Sequence, residues 1–396
     1  MITSIDKFDC NEKKCLVRVD FNVPLNDKNE ITDDIRIVQS LKTIDKILKD
    51  GGLPILMSHL GRPKGERNEK YSLKPVAEYL SKKYNLIFVD DCIGEKVKES
   101  ISNSPKGAIV LLENLRFYKE EEANDEEFSQ SLASLADIYV NDAFGTAHRA
   151  HASTVGVTRF LKNRFMGYLI EKELDFLGKH IKNPEPPFTA IIGGAKVSGK
   201  IDVIDNLIGK CNYILIGGGM MFTFFVAQGM KVGKSLVERD KIGLAKELLK
   251  KAENSQTKLV LPIDTKLAYS FENDSVSMTT SISDINEEYM GLDIGPKTIN
   301  LYKNYIKHSK TILWNGPMGV FEFSNFSDGT FELAKEMADV TLKGAITIVG
   351  GGDSAAAVSM CGLDDKLSHV STGGGASLEY LEGKTLPGIL ALEVFV

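Results

Sequence analysis

The sequence predicts an α/β protein of two doubly wound parallel-sheet domains, Rossmann-like in arrangement, joined by a linker helix and a hinge. The chain has 396 residues, which is too long for one ordinary hydrophobic core and favours two domains. Short apolar strands alternate with longer helical patterns over the whole length, as βαβ units require. A proline-rich stretch near the middle divides the chain into two halves.

Each half contributes its own series of apolar strands. The first half offers KCLVRVDFNV, LPILMSHLG, LIFVDD, AIVLLENL and IYVNDAFG, and the second offers FTAIIGG, YILIGGG, KLVLPID, TILWNG, AITIVGGG and HVSTGGG. Continuous apolar runs of this kind are typical of parallel strands that helices cover on both faces. We therefore expect one parallel sheet in each domain.

The segment between the halves has the pattern of an amphipathic helix followed by a break. Within residues 164–181, Ile170, Leu174, Leu177 and Ile181 fall on one helical face. The following KNPEPPF contains three prolines and cannot continue that helix. We predict a first domain over residues 1–166, a linker helix and hinge over 167–187, and a second domain over 188–384.

Composition and charge argue against several classes of protein. The amino terminus, MITSIDKFDC, lacks the layout of a secretory signal, and no apolar run approaches the length of a bilayer span, so we expect a cytoplasmic location. The five cysteines are scattered without zinc-site spacing and are expected to be free thiols. The net charge of −6 argues against a nucleic-acid-binding surface.

Arginine is distributed unevenly, with eight of the nine arginines in the first 164 residues. Several of them join histidines and polar residues directly after strands, where open parallel sheets bind ligands. This group comprises Asp20, Asn22, Arg36, His59, Arg62, Arg116, His148, Arg149 and His151. A single arginine is ordinarily solvated, but repetition at strand ends favours a shared cleft for a polyanion with carboxylate or phosphate groups. The histidines are expected to be neutral hydrogen-bonding partners rather than metal ligands.

The second half carries four glycine-rich turns, IIGGAKVSGK, LIGGGMMF, IVGGGDSAAA and STGGGASLE. Such turns let backbone N–H groups approach an anion. Lys196 and Lys200 are four residues apart near the start of a predicted helix whose apolar face is marked by Val197, Ile201, Ile204 and Ile208. GAKVSGK has the spacing of a Walker A loop, but Ile201 stands where Ser or Thr should reach magnesium. GGGDSA fits the dinucleotide fingerprint, so a nucleotide-dependent dehydrogenase is an alternative, although this strand is the penultimate one of its domain.

Two acidic features each have more than one interpretation. Asp353 follows the turn GGG at the start of a helix, where it either caps the helix or meets a cation that lies between it and an anionic ligand. The run KEEEANDEEF, residues 119–128, is either a partner site or a solvated loop or helix face.

The motifs as a whole resemble the phosphoglycerate kinase family. The matching stretches run in order along the chain: RVDFNVPL (18–25), SHLGRPKG (58–65), ENLRF (113–117), NDAFGTAHRAHAST (141–154), GGAKVSGKI (193–201), IGGGM (216–220), LDIGP (292–296), WNGPMGVFE (314–322), GGGDS (350–354) and STGGGASLE (371–379). The resemblance implies a glycolytic ATP-binding kinase, a transferase that moves a phosphoryl group reversibly, with Mg²⁺, between ATP and the carboxylate of 3-phosphoglycerate, giving 1,3-bisphosphoglycerate and ADP. It also implies a monomer, hinge bending, and the return of residues 385–396 to the first domain.

The resemblance further implies two sets of binding residues. The phosphoglycerate set is Asp20, Phe21, Asn22, Arg36, His59, Leu60, Gly61, Arg62, Arg116 and Arg149. The nucleotide set is Gly194, Ala195, Lys196, Lys200, Gly217, Gly218, Gly291, Asn315, Pro317, Glu322, Gly350, Gly351, Gly352, Asp353 and Ser354. Cys211, Asn212 and Met221 depart from residues common in the family and bear on details of purine packing, not on the reaction.

Chemistry suggests how the catalytic residues divide their roles. The acceptor carboxylate is ionised at neutral pH, since carboxyl pKa values lie near ~4, so attack needs no general base. Arg36 is expected to bind that carboxylate and the moving phosphoryl group, and Lys200 the γ-phosphoryl oxygens. Lys196 and the backbone N–H groups of Gly352 and Gly374 are expected to complete the cradle.

Two further roles follow from the resemblance. Asp353 is expected to hold Mg²⁺ directly or through water, and Glu322 to accept hydrogen bonds from the ribose hydroxyls. A nucleotide-binding scaffold that has lost catalysis is the alternative from another functional class.

Overall fold

A computed structural model describes residues 2–393 of the chain. The contacts divide the chain into two compact units. The first unit comprises Met1–Leu174 and Thr385–Val396, and the second comprises Asp175–Lys384. Among the described residues, no helix is both long enough and apolar enough to cross a membrane.

The first unit is built on a six-stranded parallel sheet in the order β3-β4-β2-β1-β5-β6. Its strands are β1 (Lys14–Val19), β2 (Leu53–Met57), β3 (Leu86–Val89), β4 (Ile109–Leu112), β5 (Ile138–Asp142) and β6 (Arg164–Met166). Its helices are α1 (Ile35–Asp50), α2 (Lys74–Ser81), α3 (Glu95–Ser102), α4 (Lys119–Ala123), α5 (Glu126–Ala133) and α6 (Tyr168–Glu173). Short 3-10 turns lie at Ile5–Lys7, Glu69–Tyr71, Leu115–Phe117, Phe144–Thr146 and Gly156–Arg159.

Both faces of this sheet are buried, which explains why its strands appear in the sequence as continuous apolar runs. Successive residues of β1 point to opposite faces, so that Leu16 packs in one apolar cluster and Val17 in another. Helix α1 covers one face with Ile37, Ile44 and Ile47, which are fully buried. The spacing of these three residues is that of one helical stripe.

The second unit contains a second six-stranded parallel sheet, in the order β15-β14-β13-β7-β8-β9, and a separate three-stranded antiparallel sheet. The parallel strands are β7 (Phe188–Ile192), β8 (Tyr213–Ile216), β9 (Lys258–Val260), β13 (Thr311–Asn315), β14 (Ile346–Gly350) and β15 (His369–Val370). The antiparallel strands are β10 (Asp264–Ala268), β11 (Ser277–Ser281) and β12 (Met290–Ile294).

Helices and turns complete the second unit. Its helices are α7 (Ile201–Leu207), α8 (Met221–Ala227), α9 (Ile242–Glu253), α10 (Pro296–Lys307), α11 (Asp328–Thr341), α12 (Gly352–Met360) and α13 (Gly375–Leu381). The 3-10 turns lie at Arg239–Lys241, Ile282–Asp284, Ser324–Phe326 and Asp364–Lys366. The central strands β7 and β13 are buried at every position, which again matches their apolar sequences.

The predicted fold class, two doubly wound parallel-sheet domains, is confirmed by this topology. The prediction omitted β6 and the antiparallel sheet. Strand β6 has only three residues, and the prediction ended the first domain with them without giving them a strand. Strand β11 is largely exposed and consists of Ser277–Ser281, a sequence with a single apolar residue, so no buried-strand pattern marks it.

The helical segment between the halves has two parts. Helix α6 continues into a π-helix at Leu174–His180, and the division between the two units falls within this segment, after Leu174. Ile170 and Leu177 are buried as the apolar stripe predicts, while Leu174 is half-buried.

The last described residues pack on the first unit. Helix α14 (Pro387–Leu390) lies beside the end of β5, where the Gly388 N–H donates to the carbonyl of Ala147 at 2.8 Å. Asn141 Nδ2 donates to the carbonyl of Gly388 at 3.3 Å, and Leu392 is buried in an apolar cluster of the first unit. Of the segment 385–396 predicted to return there, residues 394–396 lie outside the described residues.

Candidate active site

Each six-stranded sheet has one place where its strand order reverses, and open α/β sheets bind ligands at such places. In the first unit the chain leaves β1 toward β2 on one side, while β5 and β6 lie on the other. In the second unit the corresponding neighbours are β7 and β13. Most of the predicted site residues lie in the segments that follow β1, β2 and β5 in the first unit and β7, β13 and β14 in the second.

The loop after β1 orients Arg36, the second residue of α1. Arg36 Nη1 lies 2.5 Å from Asp20 Oδ2, and the N–H of Asn22 donates to Asp20 Oδ1 at 3.3 Å. Asp20 is buried, whereas 30% of the Arg36 side chain is exposed. The N–H of Phe21, a fully buried residue, donates to Ser58 Oγ at 2.9 Å and ties the loop to β2. The ion pair therefore fixes the guanidinium while leaving part of it open to a ligand.

Arg116 enters the same edge from the turn after β4. Its Nη1 donates to the carbonyl of Gly61 at 2.8 Å, and Asn22 Oδ1 accepts from the Gly61 N–H at 2.9 Å. Its Nε lies 3.3 Å from Glu122 Oε1. Burial lowers the pKa of Arg116; Glu122 opposes that shift, and the positive charges of Arg18 and Arg149 add to it. A second anion would stabilise the charged form of a guanidinium that is desolvated and close to other positive charges.

Arg18, Arg36, Arg116 and Arg149 surround histidines that the structure makes neutral. Burial lowers the pKa of His59 well below its usual value, and the charges of Arg18, Arg116 and Arg36 lower it further. Burial, Arg116, Arg18 and Arg149 lower the pKa of His151 to about 4. Two neutral imidazoles thus lie among four positive guanidinium groups. We call these six side chains the basic cluster.

Two predicted arginines behave differently from Arg116. Arg149 Nε donates to His148 Nε2 at 3.2 Å, so that nitrogen of His148 is an acceptor. Arg62 is exposed and makes no hydrogen bond or ion pair with any described residue, so the contacts do not draw it into the basic cluster. Leu60 is buried, and its carbonyl accepts from Asn114 Nδ2 at 2.7 Å.

The described residues do not contain a group of three or more His, Cys, Asp or Glu side chains placed to hold a metal ion.

In the second unit, glycine lets the turns after β7, β8 and β13 pack closely. A Cβ on Gly193 would lie 2.1 Å from the carbonyl oxygen of Pro317. Gly218 has a φ of +67°, and a Cβ there would lie 2.5 Å from the backbone of Gly194. The Gly194 N–H donates to the Pro317 carbonyl at 2.9 Å, and the Gly218 N–H donates to the Met318 carbonyl at 2.8 Å. These contacts fix the backbone of all three turns.

Lys200 reaches into this group of turns from the stretch before α7. That helix begins at Ile201, so Lys196 and Lys200 lie in the preceding turn and not on a face of the helix as predicted. Lys200 Nζ donates to Asn315 Oδ1, and burial lowers the pKa of the ammonium while Asp353 opposes the shift. Lys196 and the neighbouring Ala195 are exposed.

Asn315 connects Lys200 to the turn after β14. Asn315 is fully buried, and its Nδ2 donates to the Gly350 carbonyl at 2.8 Å. The N–H of Gly316 donates to Ser354 Oγ at 2.6 Å. The turn Gly350–Gly351–Gly352 is thereby held at the start of α12, with the backbone of Gly352 exposed.

The remaining predicted residues of the second unit have less uniform surroundings. Asp353 is exposed in the first turn of α12, and no side chain caps that helix, so the helix-cap interpretation of Asp353 was wrong. Glu322 is exposed after β13, and Gly374 is half-buried before α13. Gly291 is buried, and a Cβ added there would lie 2.0 Å from the Phe222 ring. A Cβ added to Gly217 would lie 2.4 Å from Met318 Sδ.

Comparison with known proteins assigns this architecture. The family model described as phosphoglycerate kinase matches residues 5–384. The chain belongs to the phosphoglycerate kinase family. The phosphoglycerate kinase of Chlorobium luteolum is 58% identical over 96% of both chains, and that of Chloroherpeton thalassium is 55% identical over 98% of both. The solved structure of phosphoglycerate kinase from Coxiella burnetii aligns with a TM-score of 0.90 at 39% identity, covering 99% of this chain and 98% of that one.

Membership of the phosphoglycerate kinase family confirms the resemblance stated from the motifs, and this chain is a kinase, a transferase of phosphoryl groups. It leaves no support for the dehydrogenase alternative, because the family model covers the GGGDSA turn itself.

Sequence reasoning missed three residues, one in the basic cluster and two that support it. Arg18 was counted among the arginines but not placed in the site, although a charged residue between two valines of a buried strand is an available signal. Glu121 lies within the acidic run expected to be solvated or a partner site, yet it is fully buried. Ser153 lies in the quoted stretch NDAFGTAHRAHAST but was given no role, which only its contacts identify.

Proposed function

We propose that this chain catalyses reversible, magnesium-dependent transfer of a phosphoryl group between ATP and the carboxylate of 3-phosphoglycerate, giving ADP and 1,3-bisphosphoglycerate in glycolysis. Phosphoglycerate kinase is the name of the family and of the curated relatives that match nearly the whole chain. In the structure, the basic cluster supports the proposal most directly. Four guanidinium groups around two neutral imidazoles favour a small polyanion, as 3-phosphoglycerate is.

The first unit would bind 3-phosphoglycerate through the loops after β1, β2, β4 and β5. Asp20 orients the guanidinium of Arg36, and the Gly61 carbonyl, whose N–H is held by Asn22, orients that of Arg116. Both guanidinium groups can offer planar donor pairs to carboxylate or phosphate oxygens. His59 and Arg149 add donors from neighbouring loops, and Arg62 joins from the exposed loop after β2. Phe21, Leu60 and Gly61 contribute backbone groups and shape.

The second unit would bind the nucleotide at its glycine turns. The N–H groups of Gly194 and Gly218 are bonded within the protein, so phosphate oxygens would meet other backbone N–H groups of these turns and of the turn at Gly351. The positive end of α12 favours the same negative charge. Gly217, Gly291, Asn315 and Pro317 form the walls that hold these turns in place. Glu322 is placed on an exposed loop, where it can accept from the ribose hydroxyls.

The chemistry requires charge stabilisation rather than proton transfer. The acceptor carboxylate attacks the γ-phosphoryl group directly, and negative charge spreads over the equatorial oxygens in the transition state. Arg36 would bind the acceptor carboxylate and the group in transit. Lys200, held by Asn315, would meet the γ-phosphoryl oxygens, with Lys196 and the N–H groups of Gly352 and Gly374 as further donors.

The donor set fits magnesium bound together with the nucleotide. Mg²⁺ usually takes one or two carboxylates, several waters and substrate phosphates rather than a dedicated protein cage. Asp353 is an exposed carboxylate at the glycine turn, without an ion pair to a described residue, and it would supply the protein ligand. When bound, the ion neutralises phosphate charge and orients the terminal phosphoryl group.

Because the two ligands are assigned to different units, transfer requires them to be brought within ~3.5 Å of each other, with water excluded. Hinge bending for this purpose, the domain boundaries at 166 and 188, and a monomeric state stay predictions. A cytoplasmic location is the natural one for a glycolytic kinase, and we propose it here.

A coupled assay tests the proposed function. ATP and 3-phosphoglycerate are supplied with and without Mg²⁺, and formation of 1,3-bisphosphoglycerate is followed through its reduction with NADH. We expect turnover only when all three are present. Nucleotide binding without turnover would instead establish the catalytically inactive scaffold.

A further inference from the structure

Glu121 is a buried acid directly beneath the basic cluster. It belongs to α4, within the acidic run, and none of its surface is exposed. Its carboxylate receives two hydrogen bonds from one residue: Ser153 Oγ donates to Oε1 at 2.6 Å, and the Ser153 N–H donates to Oε2 at 2.9 Å. This paired contact fixes the direction of the serine hydroxyl, whose only proton points at Glu121.

The direction of that hydroxyl determines the next contact. With its proton committed to Glu121, Ser153 Oγ can only accept, and it accepts from Arg18 Nε at 2.9 Å. Arg18 is almost completely buried, and its Nη1 donates to the carbonyl of Val19. Two of the three guanidinium nitrogens are therefore fixed, and the third, Nη2, lies 3.2 Å from His59 Nδ1.

The contact with Arg18 determines where the proton of His59 resides. A guanidinium only donates hydrogen bonds, so His59 Nδ1 must accept and carries no proton. The ring is then neutral, with its proton on Nε2. Burial disfavours a charged ring most, and the neighbouring titratable groups Arg18, Arg116, Arg36 and His151 disfavour it as well, which lowers the pKa of His59.

We propose that Glu121 is a positioning residue: through Ser153 and Arg18 it fixes His59 as the neutral tautomer protonated on Nε2, and so provides this N–H for an oxygen of the bound phosphoglycerate. The statement about the ligand rests on the proposed function. The statement about the tautomer does not, because every contact in the chain Glu121–Ser153–Arg18–His59 joins one group of the protein to another.

A carboxylate is needed at position 121 because both of its oxygens accept. Glutamine has the same shape but only one accepting oxygen, so in Glu121→Gln the Ser153 N–H and hydroxyl compete for it. If the amide NH₂ faces Ser153 Oγ, the hydroxyl proton turns toward Arg18 Nε, which is itself a donor. The substitution therefore disturbs the donor-to-acceptor order of these hydrogen bonds while keeping the volume of the side chain.

Ser153→Ala interrupts the chain at its middle. It removes the acceptor of Arg18 Nε but keeps the N–H that donates to Glu121 Oε2. Glu127→Gln is the matched control, since it removes the same charge from the exposed first turn of α5. Thermal unfolding shows which variants fold, and Ser153→Ala alone carries the test if Glu121→Gln does not.

The decisive experiment is NMR of the full-length protein without ligand, labelled with ¹⁵N in its histidine rings and assigned with His59→Gln. In wild type and Glu127→Gln we expect His59 to be neutral and protonated on Nε2 between about pH 5 and 8. In Glu121→Gln and Ser153→Ala we expect mixed tautomers. A wild-type ring protonated on Nδ1, or Ser153→Ala indistinguishable from wild type, overturns the proposal.

Kinetics then test the consequence for the ligand. Loss of one oriented hydrogen bond should raise the KM for 3-phosphoglycerate by about three- to tenfold, with the KM for ATP changed less than about twofold. Equal changes in both KM values would indicate a general structural defect and contradict the positioning role. If the wild-type chain lacks the proposed activity, the tautomer measurement still decides the first statement.

Discussion

The two units bear anion-binding groups of different kinds. In the first unit the groups are charged side chains, and buried or half-buried guanidinium groups are oriented by Asp20, Glu121 and Glu122. In the second unit the groups are mainly backbone amides, and their turns pack so closely that Gly193 and Gly218 leave no space for a Cβ. The first site thus depends on desolvated charge, and the second on the path of the backbone. Substitutions should expose this difference.

The largest effect is expected from Arg36→Ala. Arg36 combines a fixed orientation with partial exposure, and it is the proposed donor to the group in transit. Its loss should lower kcat by about 10²- to 10³-fold, as removal of a transition-state donor does elsewhere. The dissociation constant of MgATP should stay within about threefold, since Arg36 belongs to the first unit and the nucleotide is assigned to the second. Steady-state kinetics and calorimetry measure the two quantities, with the exposed Arg159→Ala as control. Lost ATP affinity with unchanged kcat would refute the role.

Substitution of Asp353 should rank next. Asp353→Asn removes the only carboxylate assigned to Mg²⁺, so the half-saturating Mg²⁺ concentration should rise about tenfold or more. Excess Mg²⁺ should restore part of the activity. Asp365→Asn, an exposed acid in the segment that follows α12, is the control. An unchanged Mg²⁺ requirement would show that the ion is held elsewhere.

A methyl group in a glycine turn should disturb the second unit through its backbone. Gly218→Ala combines a φ of +67° with a Cβ contact of 2.5 Å to the backbone of Gly194, whereas Gly362→Ala has a φ of +62° with open space around it. The conformational cost of about 1–2 kcal/mol is common to both. Gly218→Ala should cost about 1–3 kcal/mol more in the free energy of unfolding. Denaturant unfolding measures the difference, and equal costs would mean that the turns are not closely packed in solution.

The smallest expected effect concerns acid. The pKa of His151 in the folded protein is about 4, below the ordinary value near ~6.5, so the unfolded chain binds more protons between these two pH values. The contribution of His151 to the free energy of unfolding is fully present above pH ~6.5 and is lost as the pH falls toward ~4. After allowance for solvent screening, His151→Gln should remove about 1–2 kcal/mol of that pH dependence. Identical pH profiles of unfolding for wild type and variant would contradict it.

The difference between the units also explains what the sequence made predictable. The parallel strands other than β6 were recognisable because burial on both faces demands uninterrupted apolar runs such as those of β7 and β13. The antiparallel sheet was not, because β11 is mostly exposed and its hydrogen bonds need no apolar side chains. The turns with Gly193 and Gly218 were visible as residue types, but the backbone contacts that demand glycine there depend on three distant segments meeting.

In the first unit, residue types in the sequence identified the arginines at the edge of the sheet but not the buried acid that supports them. Arg36 and Arg116 were identified because they follow strands or open a helix. Glu121 looked like one acid among several in a charged run, and only tertiary packing distinguishes it from Glu127, which is exposed. Burial of a single charge among similar neighbours is a property of the fold, and no local pattern encodes it.

Calorimetric titration of two variants with two ligands tests the central claim, that the basic cluster binds 3-phosphoglycerate and the glycine turns bind the nucleotide. In Arg116→Ala the affinity for 3-phosphoglycerate should fall by about tenfold or more while that for MgATP is retained. Lys200→Ala should show the reverse pattern. A loss of MgATP affinity in Arg116→Ala with 3-phosphoglycerate binding intact would contradict the account.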